Sequence, residues 1–171
     1  TAGLIGLINT LGPIGGAIFG FFYAPIVITG MHHSFTAVET QLLADIATTG
    51  GSFIFPVAAM SNVAQGAAAL SVLLILRKDN KMKGIASASG ISALLGITEP
   101  AIFGVNLKLR YPFYGAMIGT AVSSAYIMLT KVLALAPGAA GLPGIISIRP
   151  DSMINYIIGM AISMAVAVAS T

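Results

Sequence analysis

Apolar residues run along this chain in long unbroken stretches, and polar residues gather in short clusters between them. Residues 11–28, LGPIGGAIFGFFYAPIVI, contain no charge and predict a tilted membrane crossing, which Pro25 interrupts just before TGMHHS. Gly12, Gly16 and Gly20 recur every four residues and predict a face open to close approach by another helix. From Ser34 to Ala47 the pattern becomes amphipathic, with Phe35, Val38, Leu42 and Ile46 on one face. Thr36 and Glu39 there have the spacing of a capping box. Residues 52–76 carry no charge over 25 positions, enough for a full crossing. Residues 112–137 and 152–169 predict two more. Gly115 and Gly119 supply a packing face on the first; Asn155, Gly159, Ser163 and Ala167 supply one on the second. The intervening PGAAGLPGIISIRPD is rich in glycine and proline and predicts an extracytoplasmic loop.

The stretch LGITEPAIFGVNLKLRYP breaks this pattern. As a helix, residues 84–98 reach only about 22 Å, at roughly 1.5 Å per residue. The hydrocarbon core is about 30 Å thick, so the segment is expected to stop inside the membrane with Glu99 at its tip. Pro100 disfavours helical geometry at Glu99 and turns the chain. NLKLRY then alternates, which in extended form points Asn106, Lys108 and Arg110 to one side. RKDNKMK contributes Arg77, Lys78, Lys81 and Lys83, so a re-entrant path puts six of the eight Lys and Arg on one face, the cytoplasmic one. Lys131 is free to snorkel from its helix end.

Composition narrows the class. With 57% hydrophobic and 8% charged residues in 171, a soluble fold has too little interior to hide the apolar surface. Barrel strands alternate over about ten residues, unlike these continuous runs, so the expected class is an all-α integral membrane protein of one domain. A net charge of +3 with no basic stripe gives no case for nucleic acid, and zero cysteines leave no disulfide or thiolate site. The opening TAGLIGLINT has no initiator Met and no charged signal segment, so the chain is expected to be a piece of a longer protein.

Glu99 leads the candidates for chemistry, because a carboxylate at membrane depth is expensive unless paired or hydrated. The structural alternative is a carboxylate capping the returning arm. His32 and His33, the only histidines, follow Pro25 and Gly30 at a chain break. Their side chains are expected to diverge, so that one faces the cavity of Glu99 and acts as acceptor or base. Adjacent histidines lack the spacing of a chelating pair, so neither metal nor cofactor is expected. Asn62 and Gln65 share a helical face beside Gly66, either as interhelical hydrogen bonds or as a neutral polar lining. One acid, two imidazoles and several amides suit a neutral, hydroxyl-rich solute, since each unpaired buried hydroxyl costs about 1–3 kcal/mol. An ion- or proton-coupled secondary transporter of a small neutral solute, which also uses broken helices and a buried acid, is the rival reading. A membrane metalloenzyme is the third.

GMHHSF, MSNVAQGAA and GITEPAIFGVNLKLRYPF resemble the membrane component, enzyme IIC, of phosphoenolpyruvate-dependent sugar phosphotransferase systems, in the sucrose, trehalose and β-glucoside branch. GMHHSFTAVETQLLADI with TGGSFIFP is most similar to the sucrose-specific members. The resemblance implies the C-terminal, sugar-binding half of that domain over residues 1–171, with two re-entrant hairpins and an elevator-like movement. It implies a homodimer through a missing N-terminal half, in the bacterial cytoplasmic membrane. Glu99, with Thr98 beside it, and His32 or His33 are implied to hold and activate a sugar hydroxyl. A separate phosphorylated IIB domain then supplies the phosphoryl group through its cysteine, so this fragment alone is expected to be inactive as a transferase.

Overall fold

The chain is described from a computed structural model, which defines Gly6, residues 10–76 and residues 78–171. Arg77 of the basic cluster and most of TAGLIGLINT lie outside the described residues. Helix α1, Pro13–Ile28, opens with proline in its first turn, directly after Gly12 at φ +54°. Pro25 does not end it. The ring removes one amide but keeps a helical φ, and Ala24, Val27 and Ile28 are packed against neighbours that carry α1 to Ile28. At 16 residues α1 is about 24 Å long.

Helix α2, His33–Ala44, follows a turn at 29–32. Phe35, Val38 and Leu42 pack into the core as their spacing predicts, but Ile46 falls on a separate single turn, Ile46–Thr49, and is exposed. The capping box is not formed. The helix begins three residues before Thr36, and Glu39 reaches out of it to Ser52 instead.

Helix α3, Ile54–Ile75, has 22 residues and is the central element: 78% of its membrane-length window is buried, against 33% for residues 150–170. Helix α4, Asn80–Leu94, is capped by Asp79, which accepts from the Met82 amide at 2.9 Å. The chain then turns at Gly96, whose φ of +105° suits glycine. It returns as α5, residues 99–109, in which the π-turn Ile102–Asn106 lies between the helical turns Glu99–Ala101 and Leu107–Leu109. The extended arm expected at NLKLRY is therefore helical: Asn106 is fully buried while Lys108 and Arg110 are exposed. Pro100 starts this helix rather than blocking it, since a first turn needs no donor from it.

Helix α6, Tyr111–Leu129, is shorter than the predicted 112–137 crossing because the chain leaves helical geometry at Lys131, φ +52°. It runs on to bridge Ser52 and Ile148 through Ala134. Two such isolated bridges are the only β-pairing among the described residues. Helix α7, Met153–Ser170, matches the predicted last crossing within one residue.

Small residues set the packing. A Cβ on Gly16 or Gly20 meets the Ser124 and Thr120 carbonyls of α6 at 2.7 and 2.9 Å, and one on Gly119 meets the Ser163 carbonyl of α7 at 2.7 Å. Gly12 does not share this face; it precedes the helix with nothing within 4 Å. The Ser163 hydroxyl donates to the Met60 carbonyl at 2.8 Å and ties α7 to α3. Met82, Ala86, Ala93, Ala101 and Val105 join α4 and α5 to the C-terminal half of α3 as one apolar cluster with Ala69 and Val72.

Gly66 of α3 and Gly90 of α4 mark where the hairpin meets the central helix, each facing the other's carbonyl. Gly90→Val should lower stability by about 1–3 kcal/mol through overpacking. Gly84→Ala, with open space around it, should leave stability unchanged or raise it by up to about 1 kcal/mol. Thermal unfolding of the two variants in detergent checks the pair.

Candidate functional site

Glu99 stands at the first position of α5, exposed, its carbonyl accepting from the Ile102 amide and its carboxylate without a partner among the described residues, with buried Thr98 just ahead of it. The turn that presents it is braced internally. The Ile97 amide donates to the Ser92 carbonyl at 3.0 Å, and the Ser92 hydroxyl donates to the Ile97 carbonyl at 3.1 Å.

A second brace comes from the α6–α7 loop. Asn62 Nδ2 donates to the Ala140 carbonyl at 2.6 Å, and the Tyr156 hydroxyl donates to the Gly141 carbonyl at 2.9 Å. Ala140 and Gly141 lie directly against the turn: a Cβ on Gly96 meets the Ala140 carbonyl at 3.2 Å, and one on Gly141 meets the Gly96 nitrogen at 2.9 Å. Two side chains thus hold a glycine-rich loop, and the loop backs the turn that carries Thr98 and Glu99. Sequence reasoning read PGAAGLPG only as a connection; its packing glycines were the available signal.

Asn62 and Gln65 part company in the fold. Gln65 is fully buried, and its side-chain oxygen accepts from Asn106 Nδ2 at 2.6 Å, while the Gln65 carbonyl accepts from the same group at 3.0 Å. This ties the returning arm α5 to the central helix. Gln65 Nε2 and Asn106 Oδ1 are buried there without protein partners, as is Ser89 Oγ on α4.

His32 and His33 do not diverge. Their rings lie side by side, centroids 4.0 Å apart at 37°, because the turn 29–32 feeds straight into α2. His32 is half-buried with Nδ1 unpaired, and His33 is exposed. The preceding turn of α1 shares a cluster with α5 and α6, in which Val27 and Ile28 join Ala24, Ile102, Leu107, Phe113 and Met117. The histidine turn and the Glu99 arm are thereby anchored to common neighbours.

The residue that sequence reasoning placed as a helix cap, Glu39, is a buried-edge acid. It accepts from the Ser52 hydroxyl at 3.0 Å. Burial raises its pKa above the ordinary glutamate value, opposed by the Ser52 hydrogen bond and the Phe55 amide.

A family profile described as "Phosphotransferase system, EIIC" matches residues 1–121. The chain is 67% identical over 165 residues to the "PTS system sucrose-specific EIIBC component" of Vibrio alginolyticus, covering 96% of this chain and 34% of that protein. It is 65% identical over 167 residues to the protein of the same description in Pasteurella multocida (strain Pm70), covering 98% and 35%. The "PTS system trehalose-specific EIIBC component" of Bacillus subtilis (strain 168) is 48% identical over 171 residues, covering 100% and 36%. The chain thus spans about a third of the length of these curated relatives. No solved structure matches it.

Asn62→Leu should release the Ala140 carbonyl, with a loss of about 1–3 kcal/mol, and speed amide hydrogen exchange at residues 94–98 and 138–144 together. Exchange confined to one of the two segments would show that the loop does not brace the turn. For Glu39, a folded pKa above the unfolded one means the folded state binds more protons. Its contribution is therefore most favourable below the unfolded carboxyl pKa and is lost as pH rises through the folded value. Glu39→Gln should flatten that part of the stability profile, read by thermal unfolding between about pH 4 and 7.

Proposed function

The chain belongs to the EIIC family of the phosphotransferase system, and on that footing we propose that it is the sugar-holding, C-terminal part of a sucrose permease. In this reading the whole protein carries sucrose across the bacterial cytoplasmic membrane and phosphorylates it from phospho-IIB. The chain itself is a multi-pass membrane segment, with three helices long and apolar enough to cross.

The observation that carries the reading is the bracing of the turn against the middle of α3. If α3 spans the bilayer, Asn62 lies eight residues past Ile54, about 12 Å along it. Asn62 holds Ala140, and Ala140 abuts Gly96. The turn before Glu99 therefore belongs inside the membrane. The arms α4 and α5, at 15 and 11 residues, reach only about 22 and 16 Å, too short to cross and suited to a re-entrant hairpin. Lys78, Lys81 and Lys83 at one end of it, and Lys108 and Arg110 at the other, then share the cytoplasmic face. Loop 133–149, dipping from Ser52 to Asn62, is the second re-entrant element.

Glu99 and Thr98 meet sugar hydroxyls from the turn, and His32 or His33 supplies the imidazole. Asn62, through Ala140, and Gln65, through Asn106, act behind the site by holding the loop and the arm that shape it. After an elevator-like inward movement, phospho-IIB docks on the face bearing Lys108 and Arg110. The sugar hydroxyl attacks in line: the O–P bond forms as the S–P bond to the IIB cysteine breaks, and the hydroxyl proton passes to imidazole. Most of the catalysis is positioning. The remaining N-terminal half supplies the homodimer contacts.

Glu99→Gln in the full-length protein should weaken sucrose binding at least about 10-fold, the effect of losing a charged hydrogen bond. Unchanged affinity refutes the role of Glu99. Sucrose should bind more tightly than trehalose or aryl β-glucosides in the same calorimetric screen. Sucrose uptake driven by an ion gradient without phosphoryl donors would instead favour a coupled secondary transporter.

A further inference from the structure

Glu39 is a partly buried carboxylate that the reading above leaves unused, held by a partner thirteen residues away. It lines a cavity of about 320 Å³ with Thr36, Thr40, Leu43, Ala44 and Pro137, a volume within the usual range of small-ligand sites. A carboxylate has about four lone-pair sites. Ser52 Oγ occupies one, and the Phe55 amide of α3's first turn draws on another. Lone-pair sites remain beyond these two on a carboxylate that lines the cavity. Hydroxyls flank the acid along α2: Thr40 Oγ1 donates back to the Thr36 carbonyl at 2.8 Å and keeps its oxygen as an acceptor. Leu43, Ala44 and Pro137 supply an apolar side. Carboxylate and hydroxyls opposite an apolar wall match a sugar ring, which has hydroxyls at its edge and C–H groups on its face.

The far wall links this cavity to the Glu99 turn. Pro137 lies four residues before Gly141, hence within about 14 Å of it even if that stretch is fully extended. Gly141 and Ala140 touch Gly96. One loop therefore borders both places.

We propose that Glu39, flanked by Thr36 and Thr40, is a second sugar-binding carboxylate that holds the ring not being phosphorylated and so makes the site prefer a disaccharide to a monosaccharide. This rests on the sugar-permease reading. Glu39 is a specificity residue in it and takes no part in phosphoryl transfer.

The test uses full-length permease supplied with phospho-IIB. Glu39→Gln keeps an oxygen for Ser52, and its Tm should be no lower than that of wild type. Its KM for sucrose should rise about 10-fold with kcat within about 2-fold, the signature of lost uniform binding. Competition by free monosaccharide should be unchanged. A sucrose KM equal to wild type, or an equal weakening of the monosaccharide, overturns the proposal. If Glu39→Gln lowers Tm, the Thr36→Val, Thr40→Val double variant, which leaves Ser52 its partner, carries the same expectation. Wild-type protein that binds no sugar overturns both readings. Sucrose binding lost in Glu99→Gln but kept in Glu39→Gln overturns this one alone.

Discussion

A single amide, Asn62 Nδ2 on the Ala140 carbonyl, governs how this fold can interrupt its helices. Non-helical backbone is tolerated at membrane depth only when protein or water in a lined cavity satisfies it. On the proposed re-entrant path, the α6–α7 loop meets that condition by borrowing donors from two helices, Asn62 of α3 and Tyr156 of α7. Once fixed, it becomes the surface on which the Leu94–Gly96 turn rests, and the absence of side chains at Gly96 and Gly141 lets the two backbones approach. The position of Thr98 and Glu99 thus follows from a hydrogen bond made by neither of them.

Elsewhere the chain is held by contact rather than by burial from water. Lipid tails are as apolar as leucine, so helices associate through close packing and occasional hydrogen bonds. Gly16, Gly20, Gly115 and Gly119 admit neighbouring backbones, and Ser163 adds a bond to Met60. Large apolar residues such as Ile14, Phe103 and Ile154 point outward. The gradient from the enclosed α3 to the half-exposed α7 reflects this: small residues let the backbones meet, large ones such as Met60, Ile127 and Tyr156 fill the spaces between helices, and further bulk is turned to the surroundings.

Long-range order in the sequence was easier to read than local punctuation. The bounds of α3 and α7 follow from uncharged length alone, and the small-residue faces of α6 and α7 meet as spaced. The short arm ahead of Glu99 was legible because length and charge placement agree. NLKLRY misled because six alternating residues fit a helix with a π-turn as well as a strand; burial of Asn106 against Gln65 decided it. Thr36 and Glu39 satisfied a local capping rule, yet a partner thirteen residues on, Ser52, won the carboxylate. The course of loop 133–149 was hidden because glycine and proline mark a turn without saying which way it faces. The candidate site was visible as residue types, and its bracing was not.

The π-turn at Ile102–Asn106 amounts to one extra residue wound into an otherwise α-helical arm. Each residue advances such an arm by about 100°, so that insertion sets the angular phase between Asn106, locked onto α3, and Glu99, seven positions earlier. Apolar identities between them can vary with modest effect. The count cannot, because trimming one residue would swing the carboxylate by more than a quarter of a circle while leaving every remaining side chain intact.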